Sequence, residues 1–105
     1  MRKHPIATIC CPTRFKKLIE IHSITLTLDG YIVFTPTCLG RDMKNIIDND
    51  SNIKNTLVEI FKEKIFMSDV IYVLRVNGYL GKDTLNDIKY AEELGKDIIY
   101  IDLEN

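Results

Sequence analysis

Apolar residues along the chain fall into two kinds of pattern, short β-branched runs and longer segments of helical spacing. The first run, IATIC, is apolar throughout and is typical of a strand buried on both faces. The runs predict four strands, at residues 6–10, 31–35, 69–75 and 97–103. The helical spacing predicts three helices, at residues 14–28, from about 51 to 65, and from about 83 to 94.

Turn and capping residues mark the ends of these elements. The Asp29-Gly30 pair ends the first helix, and Pro36 ends the second strand. Residues 37–52 are the least regular stretch, with one or two helical turns expected around Met43. The predicted caps are Ser51 or Asn52 at the start of the second helix, Asp83 or Thr84 at the start of the third, and Gly95 at its end.

Strands that alternate with helices predict parallel pairing through right-handed crossovers. The chain is therefore expected to be a single α/β domain over residues 1–105, with a three-layer, flavodoxin- or Rossmann-like sheet of order 2-1-3-4. In such sheets ligands bind where the strand order reverses, beside the first strand. That crevice is built by residues 11–14, called loop one, and by residues 76–84, called loop three.

Composition and charge narrow the classes of partner. The 105 residues are 46% hydrophobic, enough for one core, and carry a formal net charge of −1. Interspersed charges exclude the basic surface that binds polymeric nucleic acid, although a single nucleotide remains open. No apolar run approaches the roughly 20 residues of a membrane span, and the start of the chain lacks signal-peptide features. Three cysteines, two of them adjacent, favour a reducing, cytoplasmic setting.

Both loops of the predicted crevice lead into helix N-termini, where backbone N–H groups and the helix dipole favour anions. In loop one, Thr13 adds a hydroxyl and Arg14 a planar cation suited to phosphate or carboxylate; the alternative is a capped helix with a solvated arginine. Asp87 lies one turn into the helix after loop three. The dipole should stabilise its anion for use as a nucleophile or acceptor; the alternative is an exposed aspartate that only supports the helix.

The cysteines give little sign of a metal site. Cys10 and Cys11 are adjacent, but no histidine or second cysteine pair has ligand spacing, so neither a metal nor a cofactor is expected. The Cys11 thiol lies beside a helix N-terminus, which should lower its pKa and make it reactive. Cys38 is expected to be an ordinary loop residue.

Five segments in order resemble one family. The segment ICCPTRF at 9–15 resembles the ICGSTRF opening of small proteins related to nucleoside 2-deoxyribosyltransferases. The segment DGYIVFTP at 29–36 is similar to the family's GHIVLTP strand, and KI followed by SDV at 64–70 to its KIxxAD pattern. The segment NGYLGKDTLNDIKYA at 77–91 resembles NxGGYIGESTxxEIxYA, and LGK at 94–96 also fits.

The resemblance implies an activity and a set of site residues. The family's enzymes cleave the N-glycosidic bond of deoxynucleosides or their monophosphates through a carboxylate nucleophile, here Asp87 by position. It implies a homo-oligomer, a nucleoside or nucleotide partner, and a structural role for Asp69. The candidate substrate-binding residues are Cys11, Thr13, Arg14, Asn77, Gly78, Tyr79, Gly81, Asp83 and Thr84.

The sequence also departs from the family's pattern. Asp87 stands where the family has glutamate, and Cys11-Pro12 replaces Gly-Ser in loop one. The acidic residue on the helix before the third strand corresponds at best to Glu59. Three functions therefore stay open: a glycosidase or deoxyribosyltransferase-like enzyme, a non-catalytic nucleotide-binding module, and a protein-interaction domain.

Overall fold

A computed structural model of the chain describes residues 2–38, 43, 45, 47 and 49–104. Within them, strands and helices alternate as the apolar pattern predicts. The strands are β1 (Ile6–Cys10), β2 (Ile32–Phe34), β3 (Val70–Val76) and β4 (Asp97–Leu103). The longer helices are α1 (Lys16–Leu28), α2 (Ser51–Met67) and α3 (Lys82–Glu93), and a 3-10 turn at Thr13–Phe15 leads into α1.

The four strands form one parallel sheet in the order β2-β1-β3-β4, which confirms the predicted order. β1 is central and all five of its residues are buried. Adjacent side chains of a strand point to opposite faces. Ile9 packs into the cluster beneath α1, whereas Cys10 packs into the cluster beneath α2 and α3. The helices therefore cover both faces of the sheet, and loop one and loop three leave it at the same edge.

The ends of the elements differ from the predicted ones in several places. β2 is shorter than expected, β3 is shifted by one residue, and the first helix begins as the 3-10 turn. Asp50, rather than Ser51 or Asn52, caps α2: its Oδ1 accepts from the N–H groups of Asn52 (3.0 Å) and Ile53 (3.3 Å). The carboxylate reaches these orphan amides, so the helix begins one residue earlier than a Ser51 cap would allow.

The caps of α3 also differ from the predicted ones. Neither Asp83 nor Thr84 caps the helix, because the N-cap is Gly81 and no side chain bonds to the first turn. At the other end Leu94 is the C-cap, and Gly95 follows it with a φ of +71°, the left-handed conformation that ends many helices.

The predicted turns of residues 37–52 lie mostly outside the described residues; Met43, Asn45 and Ile47 are helical.

Asp69 has a structural position, as expected from its place before β3. Its Oδ2 accepts from the Ile6 N–H at 2.8 Å and pairs with Arg2 at 3.1 Å. These contacts, the backbone hydrogen bond first, lower the pKa of Asp69. The carboxylate thus joins the starts of β1 and β3, at the sheet edge opposite to the candidate site.

No helix in the described part of the chain is long and apolar enough to cross a membrane.

Candidate functional site at the ends of β1 and β3

Loop one and loop three meet in the structure, as the predicted strand order requires. The guanidinium carbon of Arg14 lies 4.4 Å from the ring centroid of Tyr79 and 4.8 Å from that of Phe15. Tyr79 comes from loop three, so this cation–π contact spans the crevice. Among the described residues Arg14 makes no ion pair. The contact therefore leaves a charged, exposed group at the point where the two loops converge.

A tight turn at Asn77-Gly78 brings Tyr79 to this position. Both residues have positive φ, 53° and 77°, and the Tyr79 N–H donates to the Val76 carbonyl at 2.9 Å. Positive φ at both central positions is the property of a type I′ turn, for which Asn-Gly is the favoured pair. The Asn77 N–H also donates to the Leu103 carbonyl at 2.8 Å, which anchors the turn to the end of β4.

Gly81 allows the Tyr79 ring to fold back against the start of α3. Gly81 has a φ of +77°, and a Cβ added there would lie 3.2 Å from the Tyr79 hydroxyl oxygen. We predict that Gly81→Ala lowers the free energy of unfolding by about 1–2 kcal/mol, because alanine is strained at this φ and crowds the ring. Denaturant unfolding measures the change. Gly78→Ala is the control for positive φ alone, since a Cβ there would meet nothing within 4 Å; equal losses in the two variants would contradict the crowding.

The starts of both helices at the crevice have no side-chain cap. Pro12 precedes the 3-10 turn of loop one and Gly81 precedes α3, and no side chain accepts from the first amides of either. Free amides and the helix dipole favour an anion at both places. Asp83, in the first turn of α3, adds a competing negative charge there. An anionic group is therefore better accommodated at loop one, where Thr13 and Arg14 are exposed.

Asp87 lies on the inner side of α3, half-buried and close to the end of β1. Its carboxylate contributes to raising the pKa of the Cys10 thiol, after burial, which places the two groups near each other. Asp83, one turn earlier, and Lys62 of α2 are its charged neighbours. Thr84 is 4% exposed and lies on the buried side of the same helix. The carboxylate thus faces the ends of the central strands rather than open solvent.

The pKa of Asp87 is shifted in the direction opposite to the one predicted from the helix dipole. Burial, and then the Asp83 carboxylate, raise the pKa of Asp87 to about 7, and the Lys62 ammonium offsets only part of this. The dipole does not dominate because the carboxylate is withdrawn from water and has a like charge beside it. A carboxylic acid that titrates near neutrality in a crevice is a candidate for acid–base or nucleophilic chemistry.

We predict that Asp87 makes the protein less stable as the pH rises. Its pKa of about 7 in the folded protein exceeds the 3.8 that is usual for an aspartate, so the proton is bound more tightly in the folded state. This contribution to stability is fully present below about pH 4 and is lost through about pH 7. With allowance for partial exposure it amounts to about 1–2 kcal/mol. Asp87→Asn should flatten the unfolding free energy between these limits, whereas Glu93→Gln on the same helix is the control; parallel curves for wild type and Asp87→Asn would contradict the assignment.

Cys11 is not the reactive thiol that its place in sequence predicted. It is 4% exposed and packs with Ile9, Ile19 and Leu26 beneath α1. Burial, and then the nearby Cys38, raise the pKa of Cys11 to about 11, so desolvation outweighs the helix dipole. Cys38 lies in the loop after β2, where it is half-buried and packs against the same cluster. In the described residues no group of three or more His, Cys, Asp or Glu is arranged to hold a metal ion.

Two hollows flank the crevice rather than occupy it. One, of about 600 Å³, lies between α1 and the residues after β2, with Lys64 at its far wall. The other, of about 460 Å³, lies beneath the Asn77-Gly78 turn, between it and the end of β4. Between them the contact of Arg14 with Tyr79 covers the crevice, so a ligand that entered would displace the tyrosine ring or stack on it. Neither Lys62 nor the hollow beside α1 had a signal in the sequence, because the first depends on how α2 packs against α3 and the second on how α1 packs beside the residues after β2.

The fold and site define a doubly wound α/β domain with its candidate site at the switch point of the sheet. No protein-family model matches the chain, and comparison with curated proteins gives no significant match.

Proposed function

We propose that the protein acts on the N-glycosidic bond of a deoxynucleoside or its 5′-monophosphate, as a hydrolase or a deoxyribosyltransferase. The observation that carries this proposal is the position of Asp87. A half-buried carboxylate with a pKa of about 7 lies beside the end of β1, at the sheet edge where Arg14 and Tyr79 meet. A group suited to anion recognition and a potential nucleophile thus lie at the same edge of the sheet. The resemblance of loop one and loop three to the deoxyribosyltransferase relatives supports the same chemistry.

The proposed reaction has two displacement steps. The Asp87 carboxylate attacks C1′ of the deoxyribose, the C1′–N bond breaks, and the base leaves with the bonding electrons and takes up a proton. The resulting glycosyl ester is then attacked at C1′ by water or by a second base, which releases the carboxylate. Only the ionised form of Asp87 attacks, so the rate should rise with pH through about 7.

The other site residues divide the substrate between the two loops. Arg14 and Thr13, with the free amides of loop one, hold the 5′-phosphate. The backbone at Gly81 holds the sugar, and Thr84, 4% exposed, packs beneath it. Burial, and then Asp83, keep the pKa of Asp87 raised. The turn at Asn77-Gly78 places Tyr79 where its ring stacks on the base. Cys11 supports loop one from beneath and does not face the substrate.

A second candidate function is a nucleotide-binding module without turnover. Arg14 and Tyr79 form their part of the crevice independently of Asp87, so binding does not require the carboxylate. The side chain of aspartate is also one methylene shorter than the glutamate of the related enzymes, and a displacement of about 1 Å costs on the order of a hundredfold in rate. For either function we propose a cytoplasmic protein, which its three free thiols support. We also propose a second copy of the chain as its partner.

A screen for ligand binding and turnover tests the proposal. The purified protein is incubated with the common deoxynucleosides and their 5′-monophosphates, free base is measured by chromatography, and thermal shifts are recorded in parallel. Base release supports the enzyme. A thermal shift without release supports the binding module. The absence of both would overturn each of these functions and leave a protein-interaction domain.

A further inference from the structure

The helix α1 is apolar on its outer face as well as on its inner face. Ile19 and Leu26 pack against the sheet and are 3% and 6% exposed. On the opposite side Ile21, Ile24 and Leu28 are 46%, 61% and 82% exposed. A surface helix with water on its outer side normally presents polar residues there. The outer face of α1 therefore has the composition of a contact surface.

The spacing of this outer face is that of a helix–helix seam. Together with Lys17, the three apolar residues recur at intervals of four, three and four positions. This is the a/d pattern by which two helices pack along a shared stripe. We call Lys17, Ile21, Ile24 and Leu28 the α1 seam. It runs the length of the helix, about 20 Å for thirteen residues at 1.5 Å each.

The charges at the ends of α1 are reversed with respect to its own dipole. The first turn has no acidic residue and contains Lys16 and Lys17, and the last turn has no basic residue and is followed by Asp29. Cations at an N-terminus and anions at a C-terminus are both unfavourable. Lys17 and Asp29 are exposed, and within the described part of the chain neither makes an ion pair. An antiparallel helix of the same sequence would supply the missing complement at each end.

We propose that two copies of this chain associate through the α1 seams, which pack antiparallel about a two-fold axis near the middle of the helix. In that arrangement Ile21 of one copy faces Ile24 of the other. Lys17 lies beside Leu28, Asp29 and the last carbonyls of the second copy's helix. Each contact occurs twice, as an isologous interface requires. The interface uses no residue of the proposed crevice, so its failure would remove the second copy as partner and leave the chemistry proposed for the crevice untouched.

Sedimentation equilibrium of the full chain over a wide range of concentration tests the association. Wild type is expected to show a reversible monomer–dimer equilibrium, because a single helix pair buries a small area. Ile24→Asp should sediment as a monomer under the same conditions. Val58→Asp, at a residue of α2 that is 49% exposed, is the matched control and should keep the dimer. A wild-type monomer at every concentration, or equal loss in the two variants, would overturn the proposal.

A charge exchange tests the antiparallel geometry itself. Lys17→Glu alone places a carboxylate opposite Asp29 at both ends and should weaken dimerisation about tenfold. The same substitution improves the match of α1 to its own dipole, so helical circular dichroism should be retained. Lys17→Glu combined with Asp29→Lys restores opposite charges and should recover the dimer. A double variant no tighter than Lys17→Glu alone would contradict the antiparallel seam.

Discussion

Replacement of Asp87 by asparagine should reduce base release by at least about a thousandfold, the largest effect that the proposed chemistry predicts. Asparagine keeps the size of the side chain and removes the oxygen nucleophile that forms the glycosyl ester. Because the pKa of the wild-type carboxyl is about 7, the substitution also removes a buried group that is only partly ionised at neutral pH. The fold should therefore be retained or stabilised. Base release under single-turnover conditions measures the loss without interference from product release.

The pH profile separates a nucleophile from a general acid at the same position. With Asp87 as nucleophile, kcat/KM rises through about pH 7 and levels above it. Asp83→Asn is the matched control, because it leaves the nucleophile in place and removes the like charge that raises the pKa of Asp87. In Asp83→Asn the rise of kcat/KM with pH should occur at lower pH than in the wild type. A profile that falls through the same range would assign Asp87 as an acid, and full activity in Asp87→Asn would reject it as the catalytic group.

Replacement of Arg14 by alanine should weaken the binding of deoxynucleoside 5′-monophosphates about ten- to a hundredfold. The guanidinium is the exposed cation at loop one, and its carbon lies 4.4 Å from the Tyr79 ring centroid. Among the described residues it makes no ion pair, so its N–H groups are available to a phosphate. Binding of the unphosphorylated nucleoside should change little. Arg14→Lys should recover only part of the affinity, because an ammonium lacks the planar fork. Calorimetric titration with both ligand forms gives the comparison.

Arg75 provides the matched control for this substitution. It is the arginine of β3, but its guanidinium donates to the Asp102 carboxylate, from Nε to Oδ1 at 2.6 Å and from Nη2 to Oδ2 at 3.0 Å. Arg75→Ala removes the same charge from the protein and should leave phosphate affinity unchanged. Equal losses in the two variants would indicate a general effect of net charge. An Arg14→Ala variant that loses nucleoside and monophosphate binding equally would indicate a role in stacking rather than phosphate recognition.

The strand order and the meeting of the two loops were predictable because they follow from chain connectivity. Strands alternate with helices, and the crossover rules then leave few arrangements, of which 2-1-3-4 is the one observed. The position of Tyr79 follows in the same way from the Asn77-Gly78 pair, whose preferred turn folds the chain back. These features depend on local backbone preferences, which a single sequence displays.

The electrostatics of the site were not predictable from the same patterns. The pKa of Asp87 depends on how far α3 is pressed against the end of β1 and on the approach of Lys62 from α2. The burial of Cys11 depends on which face of the sheet its side chain takes after the end of β1. This burial makes the thiol less reactive than its place beside a helix N-terminus predicts. The cap of α2 moved to Asp50 for a similar reason, since several residues there can accept from the same amides. Tertiary packing decided each case.

The most direct measurement is the titration of isotopically labelled protein with a deoxynucleoside 5′-monophosphate, followed by amide chemical shifts. If the crevice is a nucleotide site, the largest shifts should fall on loop one and on the first turn of α3, with the amides of Arg14 and Gly81 among them. Asp87→Asn should bind with the same pattern, since it removes chemistry rather than recognition. Shifts confined to the hollow between α1 and the residues after β2, or the absence of shifts at saturating ligand, would contradict a nucleotide site in the crevice.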